Sequence, residues 1–534
     1  MLKGQKLRFF CFYEGCYYEY CELNKFLGYD IILLLCVLWE QSGLSGFFYE
    51  RHKILSKGQI IFMEEKTTIT TKEDKTTELF KNAPVPKAVI LNAIPSIISM
   101  LMVLVYNLAD IFFIGQTQNT SMVAAVTVAT PIFMMFMSVG MLFGIGGTSL
   151  ISRRIGGGHA EDAKHISAFC FWADVVFGVI GAAGVIIFAA PLSSLIGGNA
   201  DTNEYIIQYL TIVAFGIPFL ILSNSFSNII RAEGKPTTAM LGMIIGNMMN
   251  VVLDPLMISV FKWNVAGAAF ATVLGNVFST LFYTVHLIKS PVLSISPKSV
   301  RFGNGIAKDV LLIGIPASLN GLLINISNIL VNSQMGTYGT VAQAGLGIAI
   351  KVNMIVVMLL IGLGLGIQPL LGYCFGAGNK KRYYAVLKFS IFLALSISFV
   401  MTLICFFGAS PLVKAFLDKP DAYEYSMKFA RIYIISGPVM GILFVFINAI
   451  QSMGAALPAL ILNISRQGLI YIPVLFIFKA VFNTPDMLAA AQPFTDYCAS
   501  ALAVFLFIVF NKKYFEKNIK LHAANTQNDE VKAE

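Results

Sequence analysis

IPSIISMLMVLVYNLADIFFIG, residues Ile94–Gly115, and IPASLNGLLINISNILVNSQMG, residues Ile315–Gly336, stand at matching places in one chain. Each is a predominantly apolar run of about 20 residues, enough to cross a bilayer as a helix. Ile94-Pro95 matches Ile315-Pro316, Asn107 matches Asn328 and Gly115 matches Gly336, all 221 apart (316 − 95). Gly156–His159 (GGGH) then matches Gly376–Asn379 (GAGN), Pro218 matches Pro438 and Gly234 matches Gly454, at 220. A separation this constant over several elements marks an internal duplication.

The composition agrees with a membrane protein. Of 534 residues 57% are hydrophobic and 13% charged, with mean hydropathy +0.74; soluble domains carry about 25% charged residues. Apolar runs predict twelve spans near 88–113, 122–150, 167–190, 205–227, 238–261, 265–288, 309–334, 342–371, 385–407, 427–450, 457–479 and 493–511. Six spans per copy is an even number, so the copies share one orientation. The expected fold is all-α and integral to the membrane: twelve transmembrane helices in two six-helix lobes related by a pseudo-two-fold along the membrane normal. Residues 88–290 form the N-lobe and 309–511 the C-lobe, joined by a cytoplasmic linker, 291–308. Residues 63–87 and 512–534 are cytoplasmic ends. Residues 1–62 look foreign to the rest, and Met63 opens a polar Lys/Thr/Glu-rich segment. They are read as a non-native upstream extension, with Met63 as the start, or as an unstructured appendage.

Charge sets the orientation. Lysines and arginines gather near 153–164, 231–235, 289–308, 380–382 and 512–520, whereas loops 115–121, 191–204 and 335–341 have none. Lys262, Lys414, Lys419 and Lys479 are the main exceptions. The positive-inside rule places both termini in the cytoplasm, in a multi-pass plasma membrane of bacterial inner-membrane type. The net charge of +9 is not gathered into one patch, so nucleic acid is not an expected partner. The eight cysteines show no paired zinc-site spacing.

Within the spans the inventory of acids is Asp110, Asp174 and Asp254. An intramembrane charge costs about 2.5–3.5 kcal/mol on insertion scales, and usually marks a functional site. In NVVLDPLMI (Asn250–Ile258), Asn250 and Asp254 are four apart and share a helix face. The competing reading is that Asp254-Pro255 starts a new helix, with Asp254 as N-cap. Stopping the span at Leu253 would leave it short, which favours a buried Asp254. Asp110, in NLADIFFIG, is read as either a site residue or an interfacial aspartate at the helix end. Asp174 is a possible additional coupling acid. Lys351 and Arg466 are assigned structural roles, snorkelling or bonding to backbone carbonyls. Aligning Pro255 with Pro473 puts Asp254 on Ile472 and Asn250 on Gly468, and Asp110 falls on Val331. On this reading the second copy keeps the proline and drops the acids, so ion chemistry belongs to the first lobe.

NLADIFFIG (Asn107–Gly115), RAEGKPTTA (Arg231–Ala239), NVVLDP (Asn250–Pro255) and the two-copy plan resemble the multidrug and toxic compound extrusion (MATE) transporters over roughly residues 84–515. The resemblance implies export of small organic, cationic compounds by proton or sodium antiport with alternating access. It implies a cation-coupling set of Asp110, Asn250, Asp254 and Thr272, which would also hold sodium, and a bend at Pro95. The coupling ion is a proton or sodium, and no other cofactor is expected. The lipid bilayer is the other partner, and the chain is expected to act as a monomer. Another branch of the family uses C-lobe acids, and spans 7 and 10 offer none. The 43 Phe, 22 Met and 20 Tyr suit apolar cations, although most face lipid. A flippase for lipid-linked or cell-wall precursors and a channel or scaffold are the rivals. No HExxH, paired His/Cys set or phosphate-cradling loop followed by Lys points to an enzyme.

Overall fold

The computed structural model describes residues 79–115, 120–196, 202–301, 305–416 and 420–533, all within the unit Thr70–Glu534. The readings of residues 1–62 and Met63 lie outside the described residues. Those described are helical, with no strand among them. The N-lobe comprises α1 (Val85–Gly115), α2 (Thr120–Gly156), α3 (Asp162–Ile187), α4 (Asn203–Ala232), α5 (Pro236–Pro255) and α6 (Asn264–Ile288). The C-lobe comprises α7 (Ile306–Gly336), α8 (Thr340–Gly376), α9 (Lys380–Phe407), α10a (Tyr423–Ile434), α10b (Gly437–Ser452), α11a (Ala456–Ile464), α11b (Tyr471–Phe482) and α12 (Pro485–Ala533). Among the described residues eleven helices are long and apolar enough to span a membrane, counting α11a and α11b together, and α10a with α10b makes twelve.

The two copies repeat in atomic detail. Gly158 and Gly378 follow α2 and α8 at φ 85° and 65°, and Gly234 and Gly454 follow α4 and α10b at φ 80° and 69°. A left-handed residue here suits glycine, which has no Cβ to clash. At each position the next N–H reaches back to the helix: His159 to Arg154 O, Asn379 to Cys374 O, Lys235 to Ile230 O and Ala455 to Ile450 O. The conspicuous difference is the tenth span. α4 runs unbroken through Pro218, whereas α10a and α10b meet at 48°. The C-lobe has Gly437 directly before Pro438, and a proline without an N–H next to a glycine is a ready break point.

The lobes meet through α1 against α8, α2 against α7, and α2 against α8. Where α2 and α8 end, a Cβ on Gly156 would lie 2.2 Å from Tyr373 O, and one on Gly376 would lie 2.1 Å from Arg153 O. These contacts exchange under the repeat (376 − 156 = 373 − 153 = 220), as a two-fold axis requires. Gly362 and Gly366 seat α8 on the α1 backbone, where an added Cβ would lie 2.6 Å from Ile97 Cα and from Asn92 O, respectively. Ser149 donates to Gln451 O at 2.5 Å across the lobes. The lobes are therefore closed at the end that carries Arg153, Arg154 and Lys380–Arg382.

Each lobe's first helix crosses between the lobes. Ala88, Val89 and Ala93 of α1 lie in the core of the C-lobe, while Phe113 of α1 packs into the N-lobe core. In the mirrored arrangement, Ile306 and Val310 of α7 lie in an N-lobe core, and Val331 and Met335 in the C-lobe core. Pro95 and Pro316 sit where the two helices leave their opposite-lobe anchorage. α1 is continuous through Pro95, and Asn92, Ser96 and Ser99 bond to the carbonyls of Ala88, Asn92 and Pro95 along that stretch.

Candidate functional site

α5 starts at Pro236, and Asp254 comes 18 residues later, about 27 Å along the helix. Asp110 comes 25 residues after the start of α1, about 37 Å along. Both helices start at the closed end of the molecule, so both acids lie toward the opposite end. Asp254 is not an N-cap: α5 is helical through Pro255 and passes into a π turn, Leu256–Val260, before the chain reverses at Lys262 and Asn264. Pro255 cannot donate to the Val251 carbonyl, and the wider turn that follows takes up the mismatch. The span thus carries Asp254 inside it, with 0% of the residue exposed.

Asn250, Asp254 and Thr272 come together at the contact of α5 with α6, and all three are buried. The amide orientation that satisfies both of its ends has the Asn250 NH2 donating to Asp254 Oδ2 at 2.9 Å. Its oxygen then accepts from Thr272 Oγ1 at 3.3 Å and from the Thr272 N–H at 3.1 Å. The reversed amide leaves Nδ2 donating to Thr272 Oγ1 at 3.3 Å. Asp254 Oδ1 is buried with no hydrogen-bond partner. Asp110 lies within electrostatic reach of Asp254 across the contact of α1 with α5. Tyr106, one turn before Asp110, and Tyr209 of α4 face both carboxylates. The arrangement sets an amide and a hydroxyl beside one buried carboxylate with a second carboxylate in electrostatic reach, a set of hard oxygens suited to a proton or a small cation. Sequence reading did not single out the two tyrosines, because only the packing of α1 and α4 aims them here.

Asp174 lies elsewhere, at the contact of α3 with α4, where it is fully buried. Its neighbours are Cys170 and Ser225, and neither carboxylate oxygen has a hydrogen-bond partner.

The C-lobe requires a correction: its spans do hold an acid. Asp496 of α12 is fully buried and accepts from Arg466 Nε at 3.3 Å, Gln492 Nε2 at 3.2 Å and Ser436 Oγ at 3.1 Å. Arg466 neither snorkels nor bonds to carbonyls; its guanidinium lies against this carboxylate and over the Phe444 ring at 5.0 Å. The signal was in the sequence, as PFTDYCAS inside the last apolar run.

The register between the lobes is corrected as well. Thr280 Oγ1 donates to Phe219 O, and Ser500 Oγ donates to Val439 O, both donor and acceptor shifted by 220. Positions 268, 269, 271, 275, 279, 280, 283 and 287 of α6 are buried, and so is each position 220 later. Thr272 therefore corresponds to Gln492 and Asn276 to Asp496. In α5, Gly246 corresponds to Arg466 at 220. The π turn Ser465–Leu469 of the C-lobe then adds a residue, so Asn250 corresponds to Tyr471 and Asp254 to Leu475 at 221, buried in both lobes. Pro473 is not the counterpart of Pro255; Phe476 is. The acids Asp110 and Asp254 still have no acidic counterpart.

Comparison with known proteins agrees with this duplicated plan. A family model, MatE, matches residues 95–256 and again 316–477, a separation of 221 at both ends. The chain is 30% identical over 439 residues to the multidrug export protein MepA of Staphylococcus aureus (strain MSSA476), covering 82% of this chain and 97% of that protein. In fold it resembles a crystal structure of MATE in complex with MaL6, with TM-score 0.78 at 23% identity over 83% of this chain and 99% of the other. It likewise resembles the outward-facing conformation of a multidrug resistance MATE family transporter, with TM-score 0.77 at 23% identity over 84% and 99%. The chain belongs to the MatE family and is a membrane transporter, not an enzyme.

Proposed function

We propose that the chain exports small organic, cationic compounds by antiport against protons or sodium, with the ion handled by Asp110, Asn250, Asp254 and Thr272. The observation that carries this reading is the buried meeting of Asn250, Asp254 and Thr272 within reach of Asp110, with one Asp254 oxygen unpartnered. The relatives named as multidrug export proteins support the direction and the class of substrate.

An ion arriving between the two carboxylates competes with the Asn250 NH2 for Asp254. Turning that amide over presents its oxygen to the ion and its NH2 to the Thr272 hydroxyl, so ion entry and α5–α6 hydrogen bonding are one event. α1 carries Asp110 at one end and is anchored in the other lobe at its opposite end, with Pro95 between them. Pulling on Asp110 is thereby communicated to the lobe contact. The loops rich in Lys and Arg support a cytoplasmic position for both termini and for the closed end. The conformation is then open toward the outside, the state from which drug leaves and the ion enters. The chain acts as a monomer in the plasma membrane.

The test is efflux of a fluorescent organic cation from proteoliposomes under separately imposed proton and sodium gradients, with Asp110→Asn and Asp254→Asn beside the wild type. Loss of gradient-driven efflux in both variants is expected. Undiminished efflux in both removes the site assignment.

A further inference from the structure

The contact of α11 with α12 is the C-lobe counterpart of the α5–α6 contact that holds the candidate ion site. It is also an acid site. Gln492, which corresponds to Thr272, bonds to Asp496, which corresponds to Asn276. Tyr471, which corresponds to Asn250, lies within electrostatic reach of the same carboxylate, as does Tyr433 of α10a. Ser436 supplies a second bond. The remaining partner is the Arg466 guanidinium, bonded through Nε and seated on the Phe444 ring. In the N-lobe the position of Arg466 is Gly246, where a Cβ would lie 2.9 Å from both Gly275 O and Ser279 Cβ. α5 and α6 close on each other there and leave no room for a side chain. α11 admits one because its helix widens into the π turn Ser465–Leu469 at that point. The same place in the two lobes thus holds nothing but backbone in one and a tethered cation in the other.

We propose that Arg466 is the resident cation of the C-lobe acid site, neutralising Asp496 with a tethered charge, whereas the N-lobe acids face an exchangeable ion. The comparison with the N-lobe rests on the ion-coupling reading above. A fixed guanidinium cannot leave the carboxylate for solution, so Asp496 takes up no transported ion and the ion-to-substrate ratio is set by the N-lobe alone. Removing the guanidinium while keeping the acid opens a second cation site built from Asp496, Gln492 and Ser436.

The experiment compares wild type, Arg466→Met, Arg466→Met/Asp496→Leu and Asp254→Asn in proteoliposomes. Sodium and proton fluxes are each measured against efflux of one fluorescent organic cation. The double variant, with both charges replaced by apolar groups, is expected to keep the wild-type ion-to-substrate ratio. Arg466→Met is expected to raise it by the ion that enters at Asp496. A lowered ratio in the double variant overturns the proposal, because Asp496 then takes part in coupling. An unchanged ratio in a folded Arg466→Met protein also overturns it. Should Arg466→Met fail to fold, the double variant decides the matter by itself. A wild-type ratio in Asp254→Asn removes the N-lobe reading instead, and is seen separately from either result in the C-lobe.

Discussion

Gly156 at the end of α2 lies so close to Tyr373 of α8 that an added Cβ would sit 2.2 Å from its carbonyl oxygen. Gly156→Ala forces that contact apart. Overpacking of this kind costs about 1–3 kcal/mol, and here it falls on the closed arrangement of the lobes. The expected outcome is a shift toward the form open at this end, seen as faster labelling of a cysteine placed at Ser149 in a cysteine-free background. Slower or unchanged labelling contradicts it.

Asp254→Asn removes the carboxylate while keeping the shape of the site. Coupling between two bound species is typically about 5–150-fold in affinity, and that linkage between ion and drug is expected to vanish. The measurement is drug affinity with and without sodium, and at two pH values, in purified protein. Asn250→Ala is expected to weaken the linkage less, because it deletes one hydrogen bond to Asp254 and leaves the acid in place.

Pro95→Ala restores an N–H in the interior of α1. A proline there costs a helix about 3 kcal/mol, so the variant is expected to be more stable to heat and slower in turnover. Thermal unfolding and initial efflux rates read the two effects. Lower stability together with normal turnover would contradict a bend at Pro95.

Glu233 ties the α4–α5 turn to the end of α6. Its carboxylate is buried and accepts from His286 Nε2 at 2.8 Å, from Ser290 Oγ at 2.7 Å and from Lys235. Burial pushes its pKa up, but the bonds from His286, Lys235 and Ser290 outweigh it and hold it below the usual glutamate value. A depressed folded pKa stabilises the protein above the unfolded value of about 4.3, and this is lost as pH falls through the folded value. Glu233→Gln is expected to unfold at a lower temperature than wild type at neutral pH. The gap closes in acid below the ordinary glutamate range, as melting curves across pH would record.

How much of this was legible depended on the length scale of the signal. Apolar runs of about 20 residues and matched landmarks such as Pro95/Pro316 and Gly234/Gly454 specify the span count and the duplication, because both depend on residue type along the chain. Asn250 and Asp254 could be paired from their spacing of four. Thr272 came from the resemblance rather than from spacing. Tyr106 and Tyr209 reach the site through helix rotation, which spacing within one span does not determine. The register of the C-lobe was not legible, because matched apolar runs do not fix it. Pro255 against Pro473 implies a separation of 218 (473 − 255), whereas the lobes match at 220 before the π turn and at 221 after it, and buried positions on α11 and α12 were needed to see this. Asp496 was readable as an acid in an apolar run, but its pairing with Arg466, 30 residues away, was not.

The crossing of α1 and α7 between lobes has a mechanical consequence. Each helix is clamped in one lobe at its start and in the other at its finish. If the lobes rock as rigid bodies, the clamps move relative to each other and neither helix can follow both. The difference must be absorbed between the clamps, and Pro95 and Pro316 interrupt the hydrogen-bond ladder in that interval. Rocking and helix bending are then one degree of freedom rather than successive events. A substitution that stiffens either proline should slow the exchange of access in both directions alike.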